Sequence, residues 1–109
     1  MNIDKQTRYT ASSDFFELRG SVVMKLSAEA AIEVCMIAAD RGLVIARIEG
    51  GIWHNPGFEA RVDCIWDGID PPTSVEDARL NNLAAADFVV SELDQHDTFV
   101  ITAPSIHGW

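Results

Sequence analysis

Residues 43–67 restrict the fold of this chain more than any other stretch. Leu43-Val44-Ile45-Ala46-Arg47-Ile48-Glu49 sets Val44, Ala46 and Ile48 on one side and Arg47 and Glu49 on the other. From Phe58 to Asp67, Phe58, Ala60, Val62, Cys64 and Trp66 share one side; Glu59, Arg61, Asp63, Ile65 and Asp67 share the other. A period of two over ten residues predicts a strand with one face in a core and one in water. Gly50-Gly51 and Asn55-Pro56-Gly57 between the arms are turn chemistry. The stretch reads as a β-hairpin whose glycine-rich loop, 50–57, holds Trp53 and His54 at its tip. Its wet face carries a row of acids, Glu59, Asp63 and Asp67.

The flanks complete the pattern. Ser27 is an N-cap, Glu29 lies in the first turn, and Ala28, Ala31, Ile32, Cys35, Ala38 and Ala39 share a face, so a helix is predicted over 28–41, stopped by Gly42. Ser74 with Asp77 begins a second helix over 75–94, with Val75, Ala78, Leu83, Ala86, Val89, Val90 and Leu93 on one face. Asn82 at the edge of that face is expected to bond a nearby backbone group. Leu80 and Phe88 point away and need cover, for which the N-terminal segment is favoured over a partner. Thr98–Thr102 is a last β-branched strand. Phe15–Arg19 and Val22–Leu26 read as one bent strand or two short ones, and residues 1–13 as a tail or an edge strand.

The order is β-α-β-β-α-β, an α+β, ferredoxin-like arrangement of an antiparallel sheet with two helices on one face. A length of 109 residues suits one domain, with 1–23 as an extension, 24–102 as the core and 103–109 as a loose tail. No run of 18 apolar residues is present, nor an apolar N-terminal leader, so neither a membrane span nor a secretory signal is expected. Cys35 and Cys64 both fall on apolar faces and are expected as reduced core thiols of a cytoplasmic protein rather than as a disulfide.

Charge divides the chain. Residues 1–55 carry seven acids and six bases; residues 56–109 carry ten acids against Arg61 and Arg79, a net of −8. Direct binding to nucleic acid needs clustered Lys and Arg and is excluded. An acidic half can bind a basic protein, or serve only solubility.

Enzyme chemistry finds little support. His54, His96 and His107 lie in a loop, a turn and a tail, none is expected at i, i+4 from another ligand on one face, and neither cysteine has a Cys-x-x-Cys partner, so no metal, cofactor or catalytic residue is assigned. A Cys64–His54 dyad would need a thiolate on a buried face. Gly50-Gly51 has no following helix and no Lys-Ser/Thr, so it is not a phosphate loop.

Met24-Lys25-Leu26-Ser27, Ala30–Cys35, Ala38-Ala39, Gly42-Leu43, Ile45, Gly50-Gly51, Trp53, Asn55-Pro56-Gly57-Phe58 and Trp66 closely resemble the immunity proteins of the tRNA-cleaving colicin of type E-five; Asn81-Asn82 and Phe99–Thr102 continue the likeness. Residues 1–23 have no counterpart in that family, and 59–80 diverge. The resemblance implies an antitoxin, not an enzyme, whose partner is a toxin ribonuclease domain. The antitoxin would fill that domain's basic RNA cleft with acidic charge. On this reading Glu59, Asp63, Asp67 and Asp70 face the cleft, Trp53, His54 and Asn55 anchor the loop, and Trp66 is either a core residue or an aromatic contact. The alternative is a small ligand-binding regulatory module, with an apolar pocket beside Gly50-Gly51 and a symmetric dimer.

Overall fold

The computed structural model describes residues 2–109. Five strands, β1 (Arg8–Tyr9), β2 (Lys25–Ser27), β3 (Arg47–Trp53), β4 (Phe58–Asp67) and β5 (Thr98–Thr102), form a sheet in the order β1-β2-β5-β3-β4. β1 lies parallel to β2, and every other neighbouring pair is antiparallel. β2 and β3 both oppose β5, so they run parallel to each other with β5 between them. β4 and β5 likewise flank β3. Helix α2 (Ala28–Ile37) joins the first parallel pair and α3 (Val75–Ser91) the second. These are two interlocked split βαβ units, the expected ferredoxin-like α+β class.

Register decides the two faces of the sheet. Leu26, Ile48, Phe99 and Ile101 turn toward the helices and are wholly buried. Arg47, paired with Thr102 and Asp67, and Glu49, paired with Val100 and Ile65, turn away. Both helices begin as their sequences require. The Ser27 hydroxyl accepts from the Ala30 amide at 3.2 Å, and the Ser74 hydroxyl from the Asp77 amide at 3.0 Å. α2 tightens into a 3-10 turn over Ala38–Arg41, and Gly42 stops it with φ +73°. No helix among the described residues is long and apolar enough to cross a membrane.

The two helices meet through small side chains: Ala30, Ala31 and Val34 of α2, and Ala78, Asn82, Ala85, Ala86 and Val89 of α3, are buried. Alanine faces let two helices approach closely, which leaves no room for leucine. Val75, Leu83, Val90 and Leu93, expected in the core, are exposed. Leu80 receives no cover from the N-terminal segment and is 67% exposed, while Phe88 is half-buried against the core.

Asn81 and Asn82 fasten α3 to the chain entering β3. The Asn82 side-chain oxygen accepts from the Ile45 amide at 2.9 Å, and its NH2 donates to the Leu43 carbonyl at 3.2 Å. Asn81 donates to the Ile45 carbonyl at 2.8 Å and accepts from the Ile69 amide at 2.9 Å. Residues 43–46 are consequently not the regular strand arm expected: Val44, Ile45 and Ala46 are all buried. The tail is not loose either. The Val44 amide donates to the Pro104 carbonyl and the Ile106 amide to the Gly42 carbonyl, and Ile106 is buried beside Val44 and Ala78. Of that segment, His107 and Trp109 are exposed, Trp109 to 76%.

The N-terminal segment differs most from expectation. Ser12–Glu17 is a short helix, α1, where a β-run was expected over 15–19. Phe15 is buried and meets Phe16 edge-on at 5.4 Å, and the Arg41 guanidinium covers the Phe16 ring at 4.7 Å. Residues 22 and 23 are a turn, so the strand before α2 is only three residues long. β1 makes the extension an edge strand, one of the two forms considered.

Candidate functional site

The hairpin is longer and tighter than the sequence suggests. Gly50 and Gly51 lie inside β3, and only residues 54–57 form the loop. A side chain on Gly50 would strike the Cys64 sulfur and the Phe99 ring; one on Gly51 would strike the Glu59 carbonyl. The glycines are there because β4 passes over them, not because the chain turns.

That passage is a bulge. Gly51 pairs with Ala60 but Glu49 pairs with Ile65, so residues 61–64 of β4 stand opposite Gly50 alone. Two expectations fail here. The alternation does not run through β4: Ala60 pairs with Gly51 on the face turned away from the helices and is exposed, and Val62, inside the bulge, is 92% exposed. The acids do not form one row. Glu59 pairs with Ile52 and Asp67 with Arg47, positions on opposite faces of β3.

At the hairpin end the candidates converge. The His54 amide donates to the Gly57 carbonyl at 2.8 Å, closing the loop, and Asn55 takes a left-handed φ of +51°. His54 Nε2 meets Glu59 Oε1 at 2.8 Å, and Arg61 donates to Glu59 Oε2 at 3.2 Å and lies 3.9 Å from Asp63. The His54 hydrogen bond, helped by the Arg61 charge, holds the Glu59 carboxyl below its ordinary range. Trp53 is half-buried and shares a groove of about 460 Å³ with Gln6, Thr7, Arg8, Thr10 and Asn55. At the other end of β4, Asp67 is paired with Arg47 at 2.7 Å, Trp66 packs on the core, and Asp70 lies exposed beyond the strand. Trp53, His54, Asn55, Glu59 and Asp63 thus belong to one end, and Trp66, Asp67 and Asp70 to the other.

The turn after α3, expected around His96, is fastened to the hairpin, which no local sequence signal announces. Asp97 accepts from the Trp53 amide at 3.0 Å and donates its own amide to the Gly51 carbonyl at 3.0 Å, pinning the turn to the hairpin. His96 is buried, with Nδ1 3.0 Å from Glu92 Oε2 and Nε2 3.9 Å from Asp63. Glu92 and His96 are four residues apart, which overturns the expectation that no histidine has another ligand at i, i+4. Together with Cys64 they bring three potential metal ligands within 4.8 Å of one another.

Both cysteines are free and buried. Burial, reinforced by Glu92 and Asp63, pushes the Cys64 thiol up to about 11; burial pushes Cys35 up to about 12. A protonated thiol cannot serve the Cys64–His54 dyad, and His54 is engaged by Glu59. The ligand-module reading loses its pocket, because side chain and backbone already occupy the space over Gly50 and Gly51.

The family model of the Colicin-E5 Imm protein matches residues 24–103. The chain is 71% identical over 109 residues, the whole of both chains, to Immunity protein CdiI of Burkholderia pseudomallei. It is 39% identical over 80 residues to the Colicin-E5 immunity protein of Escherichia coli, covering 72% of this chain and 96% of that one. The likeness to the Colicin-E5 immunity protein in ColE9 has the same extent. On these likenesses the chain belongs to the colicin-E5 immunity protein family and is an immunity protein, not an enzyme.

Proposed function

We propose that this chain neutralises a cognate toxin that is a tRNA-cleaving ribonuclease, by setting its acidic hairpin end into the toxin's basic RNA cleft in the cytoplasm. The observation that carries this reading is the concentration of carboxylates around the bulge. Glu59 and Asp63 of β4 and Asp97 of the pinned turn are exposed there, with Arg61 and Arg8 as the cationic groups beside them. A cleft built for phosphates attracts such a surface, and carboxylates on a strand offer similar charge with nothing to cleave. Opposite fields raise the association rate, toward about 10⁸–10⁹ M⁻¹s⁻¹ at low salt. Protection of a producing cell calls for a Kd of roughly nanomolar or below.

Trp53, His54 and Asn55 are the loop anchor in this reading, since tryptophan is enriched among binding hot spots. The N-terminal extension lines the Trp53 groove, so it borders the same surface. A relative alike over its full length and carrying the name CdiI supports a toxin of contact-dependent inhibition over a colicin. The divergent 59–80 segment would set partner specificity.

The test is tRNA cleavage by the toxin domain encoded beside this gene, with and without the protein. Cleavage is expected to stop at a one-to-one ratio. A toxin domain that is neither bound nor inhibited overturns the proposal.

A further inference from the structure

We infer that Cys64, Glu92 and His96 form a binding site for a thiophilic divalent cation of the Zn²⁺ class, which clamps the β4 bulge to the turn after α3. Thiolate, imidazole and carboxylate together are a borderline-soft donor set that suits Zn²⁺ and disfavours Mg²⁺ or Ca²⁺.

The placement of the three groups is specific. Cys64 ends the bulge and turns back over Gly50, where any larger residue would collide with its sulfur. Glu92 caps α3. The His96 amide donates to the Glu92 carbonyl at 2.9 Å, which sets the two side chains on one side of the turn. Their donor atoms and the Cys64 sulfur all lie within 4.8 Å of one another. Metal–ligand distances of about 2.0–2.3 Å put tetrahedral donors roughly 3.3–3.7 Å apart, so only a small inward movement is required. Cys64 and His96 are buried and Glu92 is half-buried. The exposed Asp63 carboxylate, 3.9 Å from His96 Nε2, lies at the mouth. Arg61, beside Asp63, is shared between Glu59 and Asp63.

An ion here would tie together three parts of the chain: the bulge, the end of α3 and the turn leading to β5. The bulge carries Val62 and Asp63, so a filled site would fix the surface that presents them. The inference does not depend on which toxin is cognate.

The experiment is a Co²⁺ titration of the chelator-treated, reduced full chain, followed by Zn²⁺ competition. A thiolate-to-cobalt charge-transfer band is expected to saturate at about one equivalent and to be displaced by Zn²⁺. Cys64→Ser should abolish the band and Cys35→Ala should keep it. His96→Gln should weaken binding by roughly 100-fold or more, beyond what a merely supporting group would cause. Absence of the band in the wild-type chain overturns the inference, as does a band that survives Cys64→Ser or depends on Cys35. Should Cys64→Ser fail to fold, alkylation of the wild-type chain decides the matter. Zn²⁺ should slow modification of Cys64 at least tenfold while leaving Cys35 unaffected, and equal rates with and without Zn²⁺ refute the site.

Discussion

The two ends of β4 are built on different physics. At the inner end, 64–67, Cys64 and Trp66 pack on the core, and the adjoining Gly68 amide donates to the Ala46 carbonyl at 2.9 Å. Behind it, Asn81 and Asn82 satisfy backbone groups on both sides of the hairpin's base. At the outer end, 58–63, the ladder is broken by a bulge, side chains stand in water, and the contacts are between charges. Altering the inner end is expected to cost stability and, under the proposed function, altering the outer end to cost recognition. This division between scaffold and surface can be broken by experiment.

The largest effect is expected from Asn82→Ala. It leaves the buried Ile45 amide and the Leu43 carbonyl without their side-chain partners, a loss of about 2–4 kcal/mol. Urea unfolding should show a clearly lower midpoint for this variant, while Asp63→Asn should unfold with the wild-type chain. A wild-type midpoint for Asn82→Ala would remove the asparagine pair from the scaffold.

A smaller effect, on kinetics only, is expected from the acids. Asp63→Asn combined with Asp67→Asn should slow association with the toxin roughly three- to tenfold at low salt and flatten its salt dependence. The single variants sharpen the comparison. Asp67 is already paired with Arg47 at 2.7 Å, whereas Arg61 stands 3.9 Å from Asp63. Asp63→Asn should therefore slow capture more than Asp67→Asn. Equal slowing would extend the interface to the inner end, and unchanged kinetics in the double variant would take these acids out of recognition.

What the sequence revealed follows the same division. The caps at Ser27 and Ser74, the stop at Gly42 and the strand at Thr98–Thr102 were legible because each is a local signal. Asn82 was legible as a residue that must bond backbone. The bulge was not, because a bulge is a relation between two strands; alternation within β4 still looks regular when its partner is three residues short. Gly50 and Gly51 were misread for a related reason. A glycine that admits a neighbouring strand and a glycine that turns look alike in sequence. Helix α1 spans six residues, too few to establish a helical period, and Phe15-Phe16 imitates a strand. The candidate acids were correctly found as exposed residues, but their grouping depended on the bulge. Glu92 and His96 carried a readable spacing, yet only the return of the turn onto β4 places Cys64 beside them.

The smallest effect expected is a titration at the outer end. Glu59 is exposed, and its carboxyl is lowered first by the hydrogen bond from His54 and then by Arg61. A carboxyl whose pKa is lower in the folded chain than in the unfolded one favours the folded chain above the unfolded value. That contribution disappears as pH falls through the folded value. For a group in full solvent the effect on unfolding is too slight to read, so the observable is the Glu59 side-chain carbon in an NMR pH titration. Its midpoint should lie below the ordinary glutamate value and rise toward it in His54→Ala. An ordinary midpoint in the wild-type chain would mean that the His54–Glu59 contact is not held in solution. The outer end would then present its charges from a mobile loop, and binding would have to order it. A lowered midpoint means that the carboxylates stand in place before the toxin arrives, and rapid capture by charge requires that arrangement.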